Sequence, residues 1–410
     1  NCSEVTGLTE TGRVARRVAL VIKNLDVGGA EQQVVALALG LARHGWQPLV
    51  ITLDAASPAD VLAPLLTERA ISWRSAGLQP GVRGFGSLGL RVARRLARVI
   101  AEAEVEIVHG HMVHANLLSR LACASLPAVR VISTVHNEHE APPGSLKLWF
   151  EDRLYAWSEP FNDFTTCVCQ RGVERHLAAH ASSPGRIAYL ANGIDVSRWS
   201  RLPARKERLC AELQLPHDSW LWLSVMRLRP EKDPANLLRA FRLHAAERPA
   251  AQLVIAGDGP MEAEARALAR RLGIERRVHF LGRRRDVVEL MSAADGFVMS
   301  SEREGMPMVL LEAALCGLPV AATDVGNTAE LVPPDAGRVV PSHDAGALAA
   351  AMTHVLDEPR LRTRALQRAT QVATEFDIDH VVRRWIQLYE RVLSSPPRPW
   401  RRRVAAAISR

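Results

Sequence analysis

The sequence predicts an α/β protein whose sheets are parallel. Short apolar segments alternate with longer helical patterns along most of the chain, and this alternation is typical of parallel strands joined by crossover helices. The strand segments are apolar on both faces, as expected for sheets that helices cover on both sides. With 410 residues, of which 48% are hydrophobic, the chain is long enough for two domains, each with its own core.

The order of elements follows from these patterns. In chain order, the predicted strands are Val18–Lys23, Pro48–Leu53, Ile107–His109, Val131–Val135, Thr165–Cys169, Ile187–Leu190, Leu221–Val225, Leu253–Ala256, Val278–Leu281, Gly296–Val298 and Pro319–Ala322. The predicted helices are Ala30–Arg43, Leu88–Ala103, Ala115–Ala124, Pro234–Glu247, Met261–Leu272, Asp286–Ala293, Pro307–Cys316, Ala345–Leu356 and Asp379–Leu393. We expect the segment 138–158 to be a loop.

A turn signal marks the domain boundary, which we place near residues 190 to 218. Asn192-Gly193 favours a turn, and residues 197 to 217 are polar and irregular. The predicted organisation is a first domain at 1–190, a second at 191–376, a helix at 377–393 and a basic tail at 394–410. The last helix has apolar residues at helical spacing and therefore needs a partner surface.

Composition restricts the classes of function. No run of apolar residues is long enough for a transmembrane helix, and no signal peptide is expected. The six cysteines lack zinc-ligand spacing, so we predict reduced thiols, a cytoplasmic protein and no metal site. The formal net charge of +8 fits an anionic ligand, an anionic membrane or nucleic acid. No nucleic-acid-binding motif accompanies this charge, so nucleic acid is disfavoured as a partner.

Two glutamates flank a predicted loop-to-helix junction. Glu304 lies in the loop and Glu312 lies inside the helix that Pro307 begins. A helix N-terminus that follows a strand attracts phosphate, and nearby carboxylates suit the hydroxyls of a ribose or a sugar. The alternative is an ordinary crossover with two surface glutamates.

Two other strand ends carry candidate binding residues. Gly28-Gly29 follow the first strand and allow a phosphate or a sugar to approach the backbone, although a tight turn would also use glycine. Arg227 and Lys232 follow the strand Leu221–Val225, and ligands bind at the carboxyl ends of parallel strands. A guanidinium and an ammonium there suit phosphate oxygens. The alternative is a pair of solvated loop cations.

Histidines end two neighbouring strands of the first domain. His109 and His111 alternate with Gly110 and therefore share one face of the strand. We predict an exposed, functional His111, which binds a sugar hydroxyl or the departing phosphate, and a structural His109. His136 ends the next strand and is a second candidate. A satisfied structural histidine is the alternative at each position.

The glutamate pair, with G-M-P between its members and G-L-P-V-A-A-T-D-V-G after it, resembles the E-x7-E element of family-4 retaining glycosyltransferases. Other motifs fit the family in the expected order, and together they cover roughly residues 17 to 393. They are Gly28-Gly29-Ala30-Glu31, His109-Gly110-His111, Thr134-Val135-His136-Asn137, Asn192-Gly193-Ile194-Asp195, Arg227-Leu228-Arg229-Pro230-Glu231-Lys232 and Ala256-Gly257-Asp258-Gly259-Pro260.

This resemblance implies the GT-B fold, in which two Rossmann-like domains face each other and a C-terminal helix crosses back to the first. It implies that Glu312 accepts hydrogen bonds from the nucleotide ribose and that Glu304, as a catalytic residue with His111, faces the transferred sugar. Arg227 and Lys232 would bind the diphosphate. The remaining implied binding groups are the backbone amides of Met308, Val309 and Leu310, the loop at Gly257 and the base-reading loop at Arg283.

The activity that the resemblance implies is retaining transfer of a hexose-like sugar from a nucleotide-diphosphate sugar to a hydroxyl acceptor, in polysaccharide or glycolipid synthesis, with neither metal nor cofactor. The alternatives are a GT-B epimerase, a phosphorylase, which would need a lysine-bound pyridoxal phosphate, and a non-catalytic nucleotide-sugar-binding scaffold. The acceptor could be lipid-linked.

A cationic helix face is compatible with a peripheral location on the inner face of a membrane. Arg91, Arg94, Arg95 and Arg98 recur at helical spacing, and Arg398, Arg401, Arg402, Arg403 and Arg410 add charge near the C-terminus. The sequence favours the alternative, which is an ordinary solvated helix face.

Overall fold

The structure is a computed structural model that describes residues 15–26, 28–58, 60–78, 87–138, 144–199, 202 and 205–401. The chain divides into two compact units, one within residues 1–193 and 378–410 and the other within residues 194–377. Each unit is built on its own sheet, and the pairings between the strands of each sheet are parallel. This is the GT-B fold.

The strands are β1 (Arg17–Ile22), β2 (Gln47–Asp54), β3 (Ser72–Leu78), β4 (Ile107–His111), β5 (Arg130–Val135), β6 (Phe164–Cys167), β7 (Ile187–Tyr189), β8 (Trp220–Val225), β9 (Ala251–Ala256), β10 (Val278–Gly282), β11 (Gly296–Met299), β12 (Val320–Thr323) and β13 (Gly337–Val340). The helices are α1 (Gly29–Arg43), α2 (Ala63–Thr67), α3 (Ser87–Glu102), α4 (Met112–Cys123), α5 (Leu146–Ser158), α6 (Gln170–Ala178), α7 (Arg205–Glu212), α8 (Pro234–Glu247), α9 (Glu262–Arg271), α10 (Val287–Ala293), α11 (Met308–Leu315), α12 (Thr328–Leu331), α13 (Ala345–Asp357), α14 (Pro359–Glu375) and α15 (Ile378–Ser394). None of the helices in the described part of the chain has the length and apolarity needed to cross a bilayer.

The sheet of the first unit has the order β3-β2-β1-β4-β5-β6-β7, and helices cover both of its faces. Because side chains alternate along a strand, Leu20 of β1 packs into the core beneath α1 and α15, whereas Val21 packs into the core beneath α3 and α4. At Gly40 a Cβ atom would lie 2.4 Å from the Val382 side chain, so glycine allows α1 and α15 to approach closely. The last helix therefore completes the core of the first unit.

The second unit has the sheet order β10-β9-β8-β11-β12-β13. Strand order reverses between β8 and β11, because the chain moves outward from β8 through β9 to β10 and then returns to the other side of β8. In open parallel sheets this switch point is where ligands bind, outside the carboxyl ends of the two strands. The fold therefore indicates a ligand-binding site at the loops after β8 and β11.

Several sequence-based expectations need correction. The strands β3 and β13 were not predicted, nor were the helices α2, α5, α6, α7, α12 and α14. The segment 138–158 is not simply a loop, because Leu146–Ser158 forms α5. Its pattern escaped detection because large apolar residues lie on both its buried and its exposed sides, so no single apolar face stands out.

The residues that follow α15 are also more ordered than a free basic tail. The Arg398 guanidinium donates to the Glu159 carboxylate at 2.9 Å, and the Arg401 guanidinium donates to the Asp163 carboxylate at 3.0 Å and to the Val129 carbonyl. Arg401 is almost completely buried. These two arginines are therefore internal contacts of the first unit, whereas Arg402, Arg403 and Arg410 lie outside the described residues.

Candidate active site

The loops that flank the switch point of the second unit bring together two predicted site residues. The Lys232 ammonium donates to the Glu304 carboxylate at 2.5 Å, and the Ser301 hydroxyl donates to the same carboxylate oxygen at 2.7 Å. The amide of Glu302 donates to the carbonyl of Glu231 at 2.9 Å, so the two loops are also joined through their backbones. A cation and a carboxylate, both mostly buried, thus lie where a parallel sheet binds its ligand.

Backbone geometry holds Lys232 in place. Asp233 adopts a left-handed conformation with φ of 42°, and its carboxylate caps α8 by accepting the amide of Asn236 at 3.0 Å. The same carboxylate contacts the His343 ring at 3.1 Å. A left-handed non-glycine residue is costly and persists only where its surroundings fix it. Asp233 is not among the residues predicted from sequence, although an Asp-Pro pair at a helix start is a capping signal.

Arg227 and Gly257 lie on neighbouring loops that touch. Arg227 follows β8, and the Leu228 amide donates to the Asp258 carbonyl at 2.8 Å. A Cβ atom on Gly257 would lie 1.8 Å from the Met226 carbonyl oxygen. Glycine is therefore required there, because any side chain would push apart the loop that carries Arg227.

The loop after β12 supports the loop that carries Glu304. The amide of Asn327 donates to the carbonyl of Gly305 at 3.0 Å. Gly326 has φ of +57°, and a Cβ atom there would lie 2.1 Å from the same carbonyl oxygen. The Thr323 hydroxyl donates to the Ser301 carbonyl at 2.6 Å. These contacts position Glu304, and Thr323, Gly326 and Asn327 are not among the site residues predicted from sequence.

The predicted phosphate-binding helix is α11. Pro307 lies at its N-cap, so the helix begins one residue later than predicted. Met308 and Val309 form its first turn, while the Leu310 amide donates to the Pro307 carbonyl at 3.0 Å and is thus already engaged. The helix has eight residues and begins directly after the Glu304 loop. Its positive dipole end therefore adds to the charge of Lys232 at this edge of the sheet.

Glu312 lies within α11 and is half-buried. Burial raises the pKa of its carboxyl to about 7, and the positive charge of Arg198 opposes this shift. Arg198 ends a short 3₁₀ turn after the Asn192-Gly193-Ile194-Asp195 motif, where the Asp195 carboxylate accepts the Ser197 amide at 3.2 Å. The motif was predicted from sequence, but the positively charged Arg198 that follows it was not.

Arg283 is exposed at the end of β10, the edge strand of the second sheet, two strands away from β8. The neighbouring Arg284 donates to the Asp286 carboxylate at 2.6 Å and to the Glu212 carboxylate at 2.7 Å. The structure therefore does not bring Arg283 to the switch point with Lys232 and Glu304.

The first unit contains a stack of three histidines at the ends of β4 and β5. His109 is hydrogen-bonded at both ring nitrogens, to the Tyr389 hydroxyl at 2.8 Å and to the Thr134 hydroxyl at 2.6 Å. The His109 and His111 rings lie 4.0 Å apart, and His111 Nδ1 lies 3.0 Å from His136 Nε2. The alternation along the strand is confirmed, and His109 has the satisfied contacts of a structural residue.

The expectation of an exposed His111 was wrong. Its ring is buried, because the rings of His109 and His136 pack against it. Burial lowers the pKa of His111 well below its usual range and that of His136 to about 4, so both rings are neutral at pH 7. Among the described residues, His111 Nε2 has no hydrogen-bond partner, and His111 lines a small cavity together with Gln33, Asn192 and His136.

The glycine pair lies nearby on the first unit, at the start of α1. Gly28 is the extended N-cap, and the helix begins at Gly29 rather than at the predicted Ala30. The Glu31 carboxylate lies beside Gly28, where a Cβ atom would be 2.1 Å from it. Gln33, which was not predicted from sequence, exchanges two hydrogen bonds with the backbone of Gly193, at 2.8 and 3.0 Å.

Known proteins resemble this chain in sequence and in fold. The family described as "Glycosyltransferase Family 4" matches residues 27–198, and that described as "Glycosyl transferases group 1" matches residues 205–372. The fold resembles the crystal structure of Anabaena Alr3699/HepE in complex with UDP and glucose, with a TM-score of 0.78 and 21% identity over 91% of this chain and 99% of that chain.

Two curated relatives are similar in sequence. The D-inositol 3-phosphate glycosyltransferase of Mycolicibacterium smegmatis is 30% identical over 92% of this chain and 90% of its own length. The GDP-mannose-dependent monoacylated alpha-(1-6)-phosphatidylinositol monomannoside mannosyltransferase of Corynebacterium glutamicum is 30% identical over 75% of this chain and 81% of its own length. With its paired parallel sheets, its ordered motifs and these matches, the chain belongs to the group 1, family 4 glycosyltransferases.

Proposed function

We propose that this glycosyltransferase transfers a sugar from a nucleotide-diphosphate donor to a hydroxyl acceptor with retention of the anomeric configuration. The observation that carries the proposal is the pairing of Lys232 with Glu304 at the switch point, directly before the N-terminus of α11. A cation and a helix dipole suit the diphosphate, and a carboxylate suits the hydroxyls of the transferred sugar.

In this mechanism the diphosphate competes with Glu304 for the ammonium of Lys232. Lys232 and Arg227 then neutralise the leaving diphosphate in place of a metal ion, while Glu304 is released to face the sugar and the positive charge that develops at its anomeric carbon. The acceptor hydroxyl attacks from the side that the diphosphate leaves, and a diphosphate oxygen takes the acceptor proton. Glu312 accepts hydrogen bonds from the ribose.

In the first unit, we assign His111 to a substrate hydroxyl. Its ring is neutral because burial lowers its pKa, so it exchanges a hydrogen bond rather than forming an ion pair. His136 fixes the ring through the contact between Nδ1 and Nε2. The orphan Nε2 atom of His111 is then the atom that meets the substrate.

We further propose a lipid-linked acceptor and an anionic membrane surface as partners. The relative from C. glutamicum is named for a phosphatidylinositol monomannoside, and an Escherichia coli relative, 25% identical over 74% of its own length, is named for a diphosphoundecaprenol. In this chain Arg91, Arg94, Arg95 and Arg98 are all exposed on α3, while Leu96 and Ile100 are buried beneath them. A cationic face of this kind suits anionic lipid.

Arg227 and Lys232, the proposed diphosphate-binding residues, give the direct test of the donor site. Arg227→Ala and Lys232→Ala should each weaken the binding of the preferred nucleoside diphosphate by about 1.5–3 kcal/mol, the free energy of a hydrogen bond between charged groups. Calorimetry with UDP, GDP and ADP measures the change. Arg229→Ala is the matched control, because Arg229 lies on the same loop but is exposed. Equal affinities in wild type and both variants would contradict the assignment.

The stereochemistry has its own test. An NMR spectrum of the product that showed an inverted anomeric configuration would contradict retention.

A further inference from the structure

The first unit presents an apolar helix face to the outside. On α5, four large apolar side chains are more than half exposed. They are Leu146 (78%), Trp149 (52%), Phe150 (59%) and Trp157 (65%). At 100° per residue these four positions fall within an arc of about 100°, which also includes Arg153. Scattered exposed apolar residues are ordinary, but a stripe along one helix marks an interaction surface.

The opposite side of α5 is anchored firmly in the first unit. Tyr155 is buried, and its hydroxyl accepts the side-chain amide of Asn116 on α4 at 2.9 Å. The guanidinium of Arg120, also on α4, donates to the Tyr155 carbonyl at 3.2 Å and to the Ser158 hydroxyl at 3.0 Å. Since buried polar contacts fix the inner side, the apolar stripe cannot turn inward without breaking them.

The charges on α5 are arranged so that its outer face is cationic. Its two carboxylates are mostly buried and paired: Glu151 with Lys147 at 3.7 Å, and Asp152 with Arg175 at 2.5 Å. Lys147 is exposed, and the guanidinium of Arg153 lies 5.3 Å from the centre of the Trp149 ring. The exposed arc therefore combines aromatic rings with positive charge and carries no exposed carboxylate of α5.

Aromatic side chains continue beyond the end of α5. The Trp157 ring lies 6.3 Å from that of Phe161, which lies 5.3 Å from that of Trp400. The indole of Trp400 donates to the Pro160 carbonyl at 2.7 Å, so the C-terminal segment is held against this end of the helix. Tryptophan and phenylalanine interleaved with arginine and lysine are typical of side chains at the boundary between headgroups and acyl chains.

The cationic face of α3 belongs to the same side of the sheet. α4 packs against α3 on one flank and against α5 on the other. The exposed arginines of α3 and the aromatic stripe of α5 thus border the same buried helix. The charge on both flanks complements an anionic surface, and the aromatic stripe of α5 adds the large apolar side chains that insertion needs.

We propose that α5 is a membrane-insertion face, whose aromatic stripe enters the interfacial region of an anionic bilayer while the arginines of α3 contact the headgroups. This inference rests on the proposed association of the first unit with a membrane and adds the chemistry of insertion to it. Because insertion buries apolar surface, this part of the binding should persist when salt screens the charges.

Vesicle co-sedimentation of the full chain tests the inference. The variant Trp149→Ser, Phe150→Ser, Trp157→Ser should lose about tenfold or more of its partitioning onto vesicles of phosphatidylglycerol and phosphatidylcholine. The matched control changes Leu65 and Leu243 to Ser, because these residues are similarly exposed but lie on α2 and α8. This control should bind as wild type. Nucleoside diphosphate affinity and thermal unfolding of the triple variant should match wild type, which shows that it folds.

The salt dependence of vesicle binding distinguishes the contribution of the α3 arginines from that of the α5 stripe. Replacing the four α3 arginines by Gln should remove the salt-sensitive part of the binding. The triple serine variant should lose the part that remains at about 1 M salt, where the Debye length is about 3 Å. If only the arginine variant is released, insertion by α5 is refuted while the membrane proposal stands. If wild type does not bind vesicles, both are refuted, and the donor-binding proposal is unaffected.

Fluorescence identifies the inserted residues. Brominated lipids should quench wild-type tryptophan emission on binding. The conservative variant Trp149→Phe, Trp157→Phe should bind as well as wild type but lose most of the quenching. Quenching that persists in this variant would overturn the assignment.

Sedimentation velocity gives the remaining outcome. If wild type forms a dimer and the triple serine variant does not, the stripe binds a second copy of this chain, and insertion is refuted.

Discussion

The protonation of Glu312 should couple pH to donor binding. Burial raises the pKa of this carboxyl to about 7, so it is neutral below that pH and ionised above it. Ribose hydroxyls donate to the ionised form, and nucleoside diphosphate affinity should therefore fall by about tenfold per pH unit as the pH drops below 7. Calorimetry across this range measures the slope. Glu312→Gln should bind more weakly at high pH and show no such slope, and a sloping profile in this variant would place the titrating group elsewhere.

The same group affects stability with a defined sign. The ordinary pKa of this carboxyl is 4.5 and its pKa in the folded protein is about 7, so the folded state disfavours ionisation. The destabilisation is absent below both values and grows as the pH rises from 4.5 to 7. A carboxyl that lowers the stability of the folded protein at neutral pH is typical of a functional site, where ligand binding sets the residue type.

At the scale of elements, Gly326 should be essential for the geometry of the Glu304 loop. Gly326→Ala places a Cβ atom 2.1 Å from the Gly305 carbonyl oxygen, at a φ of +57°. It should lower the free energy of unfolding by about 1–3 kcal/mol and reduce turnover. Gly273→Ala is the control, because Gly273 has a similar φ of +67° but open space around it. Chemical unfolding of both variants gives the comparison. Equal destabilisation would show that φ alone matters and not the contact with Gly305.

The strands that the sequence predicts are segments of mainly apolar residues. Every one of them corresponds to an observed strand, including β7 and β10 at sheet edges. β3 and β13, which also lie at sheet edges, were missed because Arg74 and Arg338 face solvent and interrupt the apolar pattern. α5 was missed for the related reason that its outer face is apolar.

The candidate site was predictable in part. Sequence placed Lys232 and Glu304 on loops at strand ends. It could not show that they meet, because β8 and β11 are adjacent only through the strand order of the sheet. The burial of His111 depends on rings from another strand, and the supporting role of Gly326 depends on a close approach of two loops. Long-range packing of this kind leaves no local signal.

At the scale of the whole molecule, the two units should differ in their independence. The fragment 194–377 contains a complete sheet and core, so it should fold alone and bind the nucleoside diphosphate. The fragment 1–377 lacks α15 and leaves apolar residues around Leu20 and Leu41 uncovered. We expect it to aggregate or to bind hydrophobic dyes. Circular dichroism and calorimetry of both fragments test this. A stable, monomeric 1–377 would show that α15 is dispensable to the first core.

The discontinuous first unit has a consequence for the order of events on the ribosome. The apolar face that α1 shares with α15 is synthesised early, but its cover is made only after residues 194–377. At about 5–20 residues per second, this interval lasts about 10–40 s. The second unit emerges whole and can fold during that time. The nascent first unit, in contrast, exposes the apolar face of α1 throughout the interval. We therefore expect a ribosome-associated chaperone to bind this part of the chain.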